Sequence, residues 1–277
     1  MTIMTVRENF ERDIIKKYRP KLWSKFIKAL QEFDMLSPGD KVAVAISGGK
    51  DSLILAKLMQ EVKRHGDFDF DIVFIAMDPG FEEKNRELLL KNCELLGIDV
   101  NLIRSDVFEV ANKLSPDKPC YMCAKMRRGF LYTKAKEFGC NKLALGHHFN
   151  DVIETTLLNV LYAGSFKTMV PKVKSENFDD ITLIRPMVYI HEEDIKRIMK
   201  TNGIECMTCG CKIASNELPS KRREVKELVK KLKETYPIVD QNIFKSTANV
   251  NINAIFGYKD EDDYFDFNSI FERGRRQ

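Results

Sequence analysis

Three short stretches hold most of the residues whose types and spacing could do chemistry. The first, AISGGKDS at residues 45–52, follows an apolar run and precedes a helical pattern. Glycines at 48 and 49 let backbone N–H groups approach an anion, the following helix N-terminus faces it, and Lys50 adds a point charge. Ser47 and Ser52 can donate hydroxyl hydrogen bonds to the same oxygens. Counting back from Gly49-Lys50 puts Val44 where a Walker A loop needs its first glycine, and Asp51 where it needs Ser or Thr. The GxGxxG of a dinucleotide fold is missing too. Asp51 has two readings: a first-turn carboxylate favoured by the helix dipole, or a Mg²⁺ ligand accompanying a polyphosphate.

The second stretch, GHHFNDVIET at 146–155, has the same strand-end position and opens another helix. Asp151 is either a second magnesium ligand or a helix cap, and His147 and His148 are either phosphate or substrate contacts or packing residues. The third constellation is made of cysteines. Of seven, Cys93 and Cys140 stand alone in apolar helical patterns and read as core. The others are grouped as Cys120 and Cys123, then Cys206, Cys209 and Cys211. Two CxxC pairs could hold zinc, but some eighty residues separate them, where ribbons use about 15–20. Thiolates equally favour an iron–sulfur cluster.

The elements that must position these groups follow from periodicity. KVAVAI reads as a buried strand before the SGGKDS loop, and residues 53–58 carry the apolar face of the next helix. Strand 72–77, helix 82–96 with Gly97 as C-cap, and strand 100–104 come next. A second round gives helix 124–138, strand 142–147, helix 151–162, an extended segment at 181–184 and helix 191–201 ending at Gly203. Apolar strands alternating with helices predict an α/β fold, a doubly wound parallel sheet covered on both faces. Ligands in such sheets bind beyond the strand carboxyl ends, where both loops fall.

A helical pattern over 8–33, broken at Pro20, forms an N-terminal helical extension, and a charged helix at 218–235 is appended at the C-terminus. The expected division is 1–36 for the extension, 37–205 for the nucleotide-binding domain and 206–277 for the cysteine loop, helix and tail. The tail itself gives no clear signal.

The loop at 47–52 resembles that of the PP-loop ATP pyrophosphatases, which cleave ATP between the α and β phosphates and release pyrophosphate. GHHFND resembles the GHHxxD segment of the RNA-modifying branch. From Cys120 to Cys209 the chain is similar to the tRNA 2-thiocytidine synthetases, the TtcA family, through CYMCAKMRRGFLY, LALGHHFNDVIETTLLNVLY, LIRPM and the CxxCG at 206–210. That resemblance implies ATP as co-substrate bound by Ser47, Gly48, Gly49, Lys50, Asp51, Ser52, Met77, Asp78 and Gly146, with Mg²⁺ on Asp51 and Asp151. It implies a [4Fe-4S] cluster held by Cys120, Cys123 and Cys209 with one iron open, and Lys50 and Asp151 as catalytic residues. The implied reaction activates a cytidine C2 carbonyl of tRNA by adenylation and replaces its oxygen with sulfur. Cys211 stands where the family is expected to have serine, and the segment after Gly210 matches loosely. A lysidine-synthetase-like ligase shares the loop but needs no cysteines; a nucleotide-binding or zinc-stabilised module would not need Lys50, Asp51 and Asp151 together.

Bulk properties fit these expectations. A chain of 277 residues, 44% apolar, buries its own core. The net charge of +4 is modest, but basic residues cluster at 16–28, 125–128 and 220–233, and Arg127 and Arg128 suit tRNA phosphates or a solvated helix face. Without an apolar run of membrane length or a signal-peptide core, the expected location is the cytoplasm. The expected partners are tRNA, a sulfur donor (cysteine desulfurase or free sulfide) and a second copy of the chain.

Overall fold

A computed structural model describes residues 4–107, 110, 119–175, 177–178, 180–207, 221–260 and 263–274, with backbone alone at 119–121, 123–125 and 273–274. At its centre lies a sheet built from β1 (Lys41–Ile46), β2 (Asp71–Asp78), β3 (Val100–Arg104), β4 (Lys142–Ala144), β5 (Lys172–Lys174) and β6 (Thr182–Ile184), in the order β3-β2-β1-β4-β6-β5. All neighbours pair parallel except β5, which runs antiparallel along β6 at the edge. The doubly wound expectation holds. The sequence reading did not include β5, whose KVK is exposed on both faces and carries no periodicity signal.

Alternation within the apolar strands divides two cores. Val42 and Val44 of β1 face one cluster, whereas Ala43 faces the other; Phe74 and Ile75 of β2 divide likewise, as do Leu183 and Ile184 of β6. The first core is covered by α3 (Lys50–His65), α4 (Glu83–Leu96) and the amino-terminal helices, α1 (Val6–Arg12) and α2 (Trp23–Glu32). The second is covered by α5 (Pro119–Glu137) through Tyr132 and Ala135. Cys93 and Cys140 are buried, one in each core, as their isolated positions implied.

At Gly97 the capping follows the sequence cue, and at Thr5 the structure adds a cap. Thr5 and Glu8 form a capping box on α1, and Gly97 closes α4 in the left-handed conformation at φ 65°. The expected break near Pro20 is prepared by a π-helical turn at Asp13–Lys17, where the Tyr18 N–H donates to the Asp13 carbonyl. Four further elements complete the site's surroundings: α6 (Phe149–Ala163), α7 (Glu192–Thr201), α8 (Lys221–Thr235) and α9 (Val239–Ser246). Val225 and Val229 of α8 pack with Phe149 and Ile153 of α6, so the charged appended helix is fastened by a narrow apolar stripe. Beyond it a hairpin of β7 (Gly257–Asp260) and β8 (Asp263–Asp266) leads into α10 (Phe267–Gly274). No helix among the described residues is long and apolar enough to cross a membrane.

Candidate active site

The carboxyl end of β1 runs directly into residues 47–49, and Gly49 caps α3 in an extended conformation. Gly48 sits at φ +79°, where a side chain would be strained. The two serines brace the turn internally: the Ser47 N–H donates to Ser52 Oγ at 3.1 Å, and the Ser52 hydroxyl donates to the Gly49 carbonyl at 2.9 Å. The Lys50 ammonium reaches Asp51 Oδ2 at 2.9 Å and Glu192 Oε1 at 3.1 Å. Burial works against its charge, but the Asp51 and Glu192 carboxylates outweigh that and hold it above the ordinary lysine range.

The second loop is pressed against the first. A Cβ on Gly146 would stand 3.0 Å from the Asp51 carbonyl group, so a side chain there would have to push the start of α3 back by a few tenths of an ångström, and glycine lets the segment after β4 lie against it. His148 caps α6, and Asp151, three residues on, accepts from the His148 backbone N–H at 2.9 Å. Asp151 is therefore the reciprocal partner in a capping box, not the cap itself. The buried His148 ring lies between the two aspartates, with Nε2 3.6 Å from Asp51 Oδ1 and Nδ1 3.3 Å from Asp151 Oδ2. Asp51 Oδ1 is buried and accepts no hydrogen bond among the described residues, as an oxygen reserved for a cation would be. The acceptor chemistry of that one oxygen fits a hard divalent ion, whereas the His148 ring stands between it and Asp151. His147 is pushed below the usual histidine range, first by burial and then by Arg185, Arg222 and His148, against the pull of Asp151.

On the other side of β1, Met77 and Asp78 close β2 and are buried. The Asp78 carboxylate accepts from the Gly80 and Phe81 N–H groups at 2.9 and 2.8 Å and from Arg86 Nε at 2.8 Å. Burial opposes its ionisation, but those three donors hold it below the usual carboxylate range. Its side chain thus shapes the loop, leaving backbone to line any adjacent pocket.

The start of the second cysteine group lies on the anion loop. Met207 N–H donates to the Gly48 carbonyl at 3.2 Å, and the Met207 sulfur fills the space a Gly48 side chain would need. Asn92 of α4 holds the same segment by donating to the Glu205 carbonyl at 2.7 Å. Cys206 is half-buried, its thiol pushed up to about 11 by burial, with Lys50 and Asp51 close enough to act on it. Cys120 and Cys123 lie in the first turn of α5, where i,i+3 spacing puts both on one face; their side chains, and all of Cys209 and Cys211, fall outside the described residues. Arg127 and Arg128 follow one turn later, half-buried and exposed respectively.

The PP-loop domain family matches residues 20–211. The tRNA-cytidine(32) 2-sulfurtransferase of Pelobacter propionicus is 38% identical over 226 residues, covering 81% of this chain and 83% of that relative. The enzyme of the same name from Citrifermentans bemidjiense is 35% identical, covering 81% and 88%. The chain belongs to the tRNA-cytidine(32) 2-sulfurtransferase family of PP-loop proteins. It is accordingly a transferase of the PP-loop type. Its fold is shared with the U34-tRNA thiolase NcsA from Methanococcus maripaludis, solved with its [4Fe-4S] cluster, at TM-score 0.66 and 23% identity over 81% of this chain and 76% of that one.

Beyond the residues expected from the motifs, the 2-sulfurtransferase fold brings Glu192, Arg222 and Lys226 to the site. Glu192, the first residue of α7, pairs with Lys50, with Lys196 at 3.1 Å and with Lys226 of α8 at 2.8 Å. Burial resists its charge, yet these lysines hold its carboxyl far below the ordinary range. Arg222 of α8 lies 3.3 Å from Glu154 Oε2 and 3.8 Å from Asp151 Oδ1. A signal for Glu192 existed: an acidic triplet opening a helix soon after a strand, at the ligand-binding end of the sheet. Arg222 had none, because its partners are some seventy residues away.

Proposed function

We propose that the chain is an ATP-dependent tRNA sulfurtransferase that makes 2-thiocytidine in the anticodon loop. The observation that carries this reading is the Met207–Gly48 hydrogen bond, which joins the start of the second cysteine group to the anion loop. A pyrophosphatase loop and a thiolate group so joined fit a reaction in which one activates a carbonyl and the other supports the delivery of sulfur. The names of the relatives at 35–38% identity support the same base and the same atom.

Backbone N–H groups of the turn at Gly48 and Lys50 and the Lys50 ammonium hold the polyphosphate, and Asp51 and Asp151 would hold Mg²⁺, which would supply positive charge to the leaving pyrophosphate. The C2 oxygen of cytidine attacks the α-phosphorus and pyrophosphate leaves. Sulfur, supplied as sulfide, then adds to C2, and the C2–O bond breaks to release AMP with no net redox change. Cys120, Cys123 and Cys209 would hold a [4Fe-4S] cluster whose open iron supplies a site for that sulfide. Arg127 and Arg128 bind tRNA phosphate in this reading. Its partners are a sulfur donor, either a desulfurase or free sulfide, and a second copy of the chain, in the cytoplasm.

Protein purified without oxygen tests this directly. Absorption near 400 nm with about four irons per chain is expected, as is 2-thiocytidine in digests of tRNA incubated with ATP and sulfide. Cys120→Ala, Cys123→Ala or Cys209→Ala should lose the iron, whereas Cys206→Ala and Cys211→Ala keep it. A cluster that survives Cys209→Ala but not Cys211→Ala would sink the ligand assignment; zinc with unmodified tRNA would sink the function.

A further inference from the structure

Arg185 follows the last residue of β6, at the end of the sheet where ligands bind, and is only 9% exposed. One Nη–H donates to the Val170 carbonyl, and the buried Nε–H has no acceptor among the described residues. A guanidinium presents five donors in a rigid fork and keeps its charge at neutral pH. Burying one normally requires a carboxylate, and Arg185 forms no ion pair among the described residues. The charge that acts on it is instead Arg128 of α5; burial and Arg128 together bring it down to about 10, still fully charged at pH 7. Beside it, His147 has a buried Nδ1 that is also without a partner. Among the described residues neither arginine has a carboxylate partner and the imidazole Nδ1 has no hydrogen bond, a set that an external anion would complete.

We infer that Arg185, with Arg128 at its rim, binds one phosphodiester of the RNA substrate. The inference rests on the proposed function and names the subsite that holds the target strand. Sheet order separates this anion from ATP: the polyphosphate loop ends β1 and the Met77–Asp78 end of β2 lies beyond it, whereas β6 stands on the opposite side, past β4. At about 4.8 Å per strand the two sites are roughly 10 Å apart. Arg128 shares α5 with Cys120 and Cys123, so a phosphate gripped here flanks the cysteine side of the reaction centre. Arginine suits a phosphodiester because two parallel N–H groups match two phosphate oxygens.

The test compares wild type, Arg185→Lys and Arg128→Gln for binding of an unmodified tRNA transcript across a salt series and of a non-hydrolysable ATP analogue. Each variant should bind tRNA about tenfold more weakly; Arg128→Gln, which removes a charge, should also reduce the slope of log affinity against log salt by about 0.9, whereas Arg185→Lys, which loses the fork but keeps the charge, should leave the slope nearly unchanged. Unchanged tRNA affinity and slope in both variants overturn the inference, even if 2-thiocytidine still forms. A loss of analogue affinity in place of tRNA affinity overturns it too, assigning the anion to ATP. If circular dichroism shows Arg185→Lys to be misfolded, the exposed Arg128 decides alone. RNA binding that depends on these arginines, in a protein that makes no 2-thiocytidine, would uphold the subsite and reject the function.

Discussion

Lys50 is the residue on which the site's electrostatics converge. Asp51 and Glu192 fix its ammonium from two elements that meet only in the fold, and Glu192 is tied in turn to α8 through Lys226. Glu192 therefore acts as a positioning residue, working through Lys50. Replacing Glu192 with Gln keeps the shape but removes the charge that aims the ammonium. We expect kcat for ATP-dependent pyrophosphate release to fall about tenfold while KM for ATP moves less than about threefold, the pattern of a lost orienting interaction. Glu192→Asp should recover part of the rate; a KM effect alone would show that Glu192 serves ground-state binding. The motif residues Ser47–Ser52 were legible because their chemistry needs neighbours in sequence. For Glu192 the sequence offered an acidic triplet at a helix start, but not its partner, because the ion pair with Lys50 spans 142 positions.

At the scale of elements, the decisive contact is the seating of residues 204–207 on the loop before α3. Gly48 makes it feasible twice over, by its positive φ and by yielding its Cβ space to the Met207 sulfur. Gly48→Ala must both strain the backbone and push that segment away. ATP-analogue affinity should fall by about tenfold or more, with the helical circular dichroism retained. Wild-type affinity in this variant would show that loop and segment move independently. Glycines 48 and 49 announced an anion cradle from sequence. That one of them also receives a methionine from 159 residues away could be read only in three dimensions.

For the whole molecule, the amino-terminal helices are part of the main core, not an ornament upon it. Phe10, Ile14, Leu22 and Phe26 are fully buried, and Glu11 clasps α1 to α3 through Lys57 at 2.6 Å and Arg64 at 2.9 Å. Lys57 is itself completely buried, also donating to Gln60 and to the Leu96 carbonyl of α4. Glu11→Ala leaves that ammonium without its counter-ion, so unfolding free energy at pH 7 should drop by about 3 kcal/mol. Burial opposes the Glu11 charge, but Arg64, Lys57 and Arg7 prevail and lower its pKa from 4.5 to about 2. A carboxyl lowered on folding stabilises above its unfolded pKa and loses that contribution as pH falls. The gap between wild type and variant should therefore be full above about pH 4.5 and close toward pH 2 in denaturant titrations. A gap that is constant through this range would locate the effect in packing.

What the sequence determined by itself is whatever depends on neighbours along the chain. Strand and helix periods, the glycine loop, the cap at Gly97 and the isolation of Cys93 and Cys140 were all readable, because hydrogen bonding and side-chain direction repeat at short range. The doubly wound sheet followed, since buried parallel strands require helices on both faces. Tertiary structure alone decided the antiparallel β5 edge, the docking of α8 by Val225 and Val229, and the helix at Val239–Ser246. It alone placed His148 between Asp51 and Asp151, and left Arg185 buried without a carboxylate partner among the described residues. These features rest on contacts between distant segments, whose energies depend on separation in space, and a linear pattern carries no record of that separation.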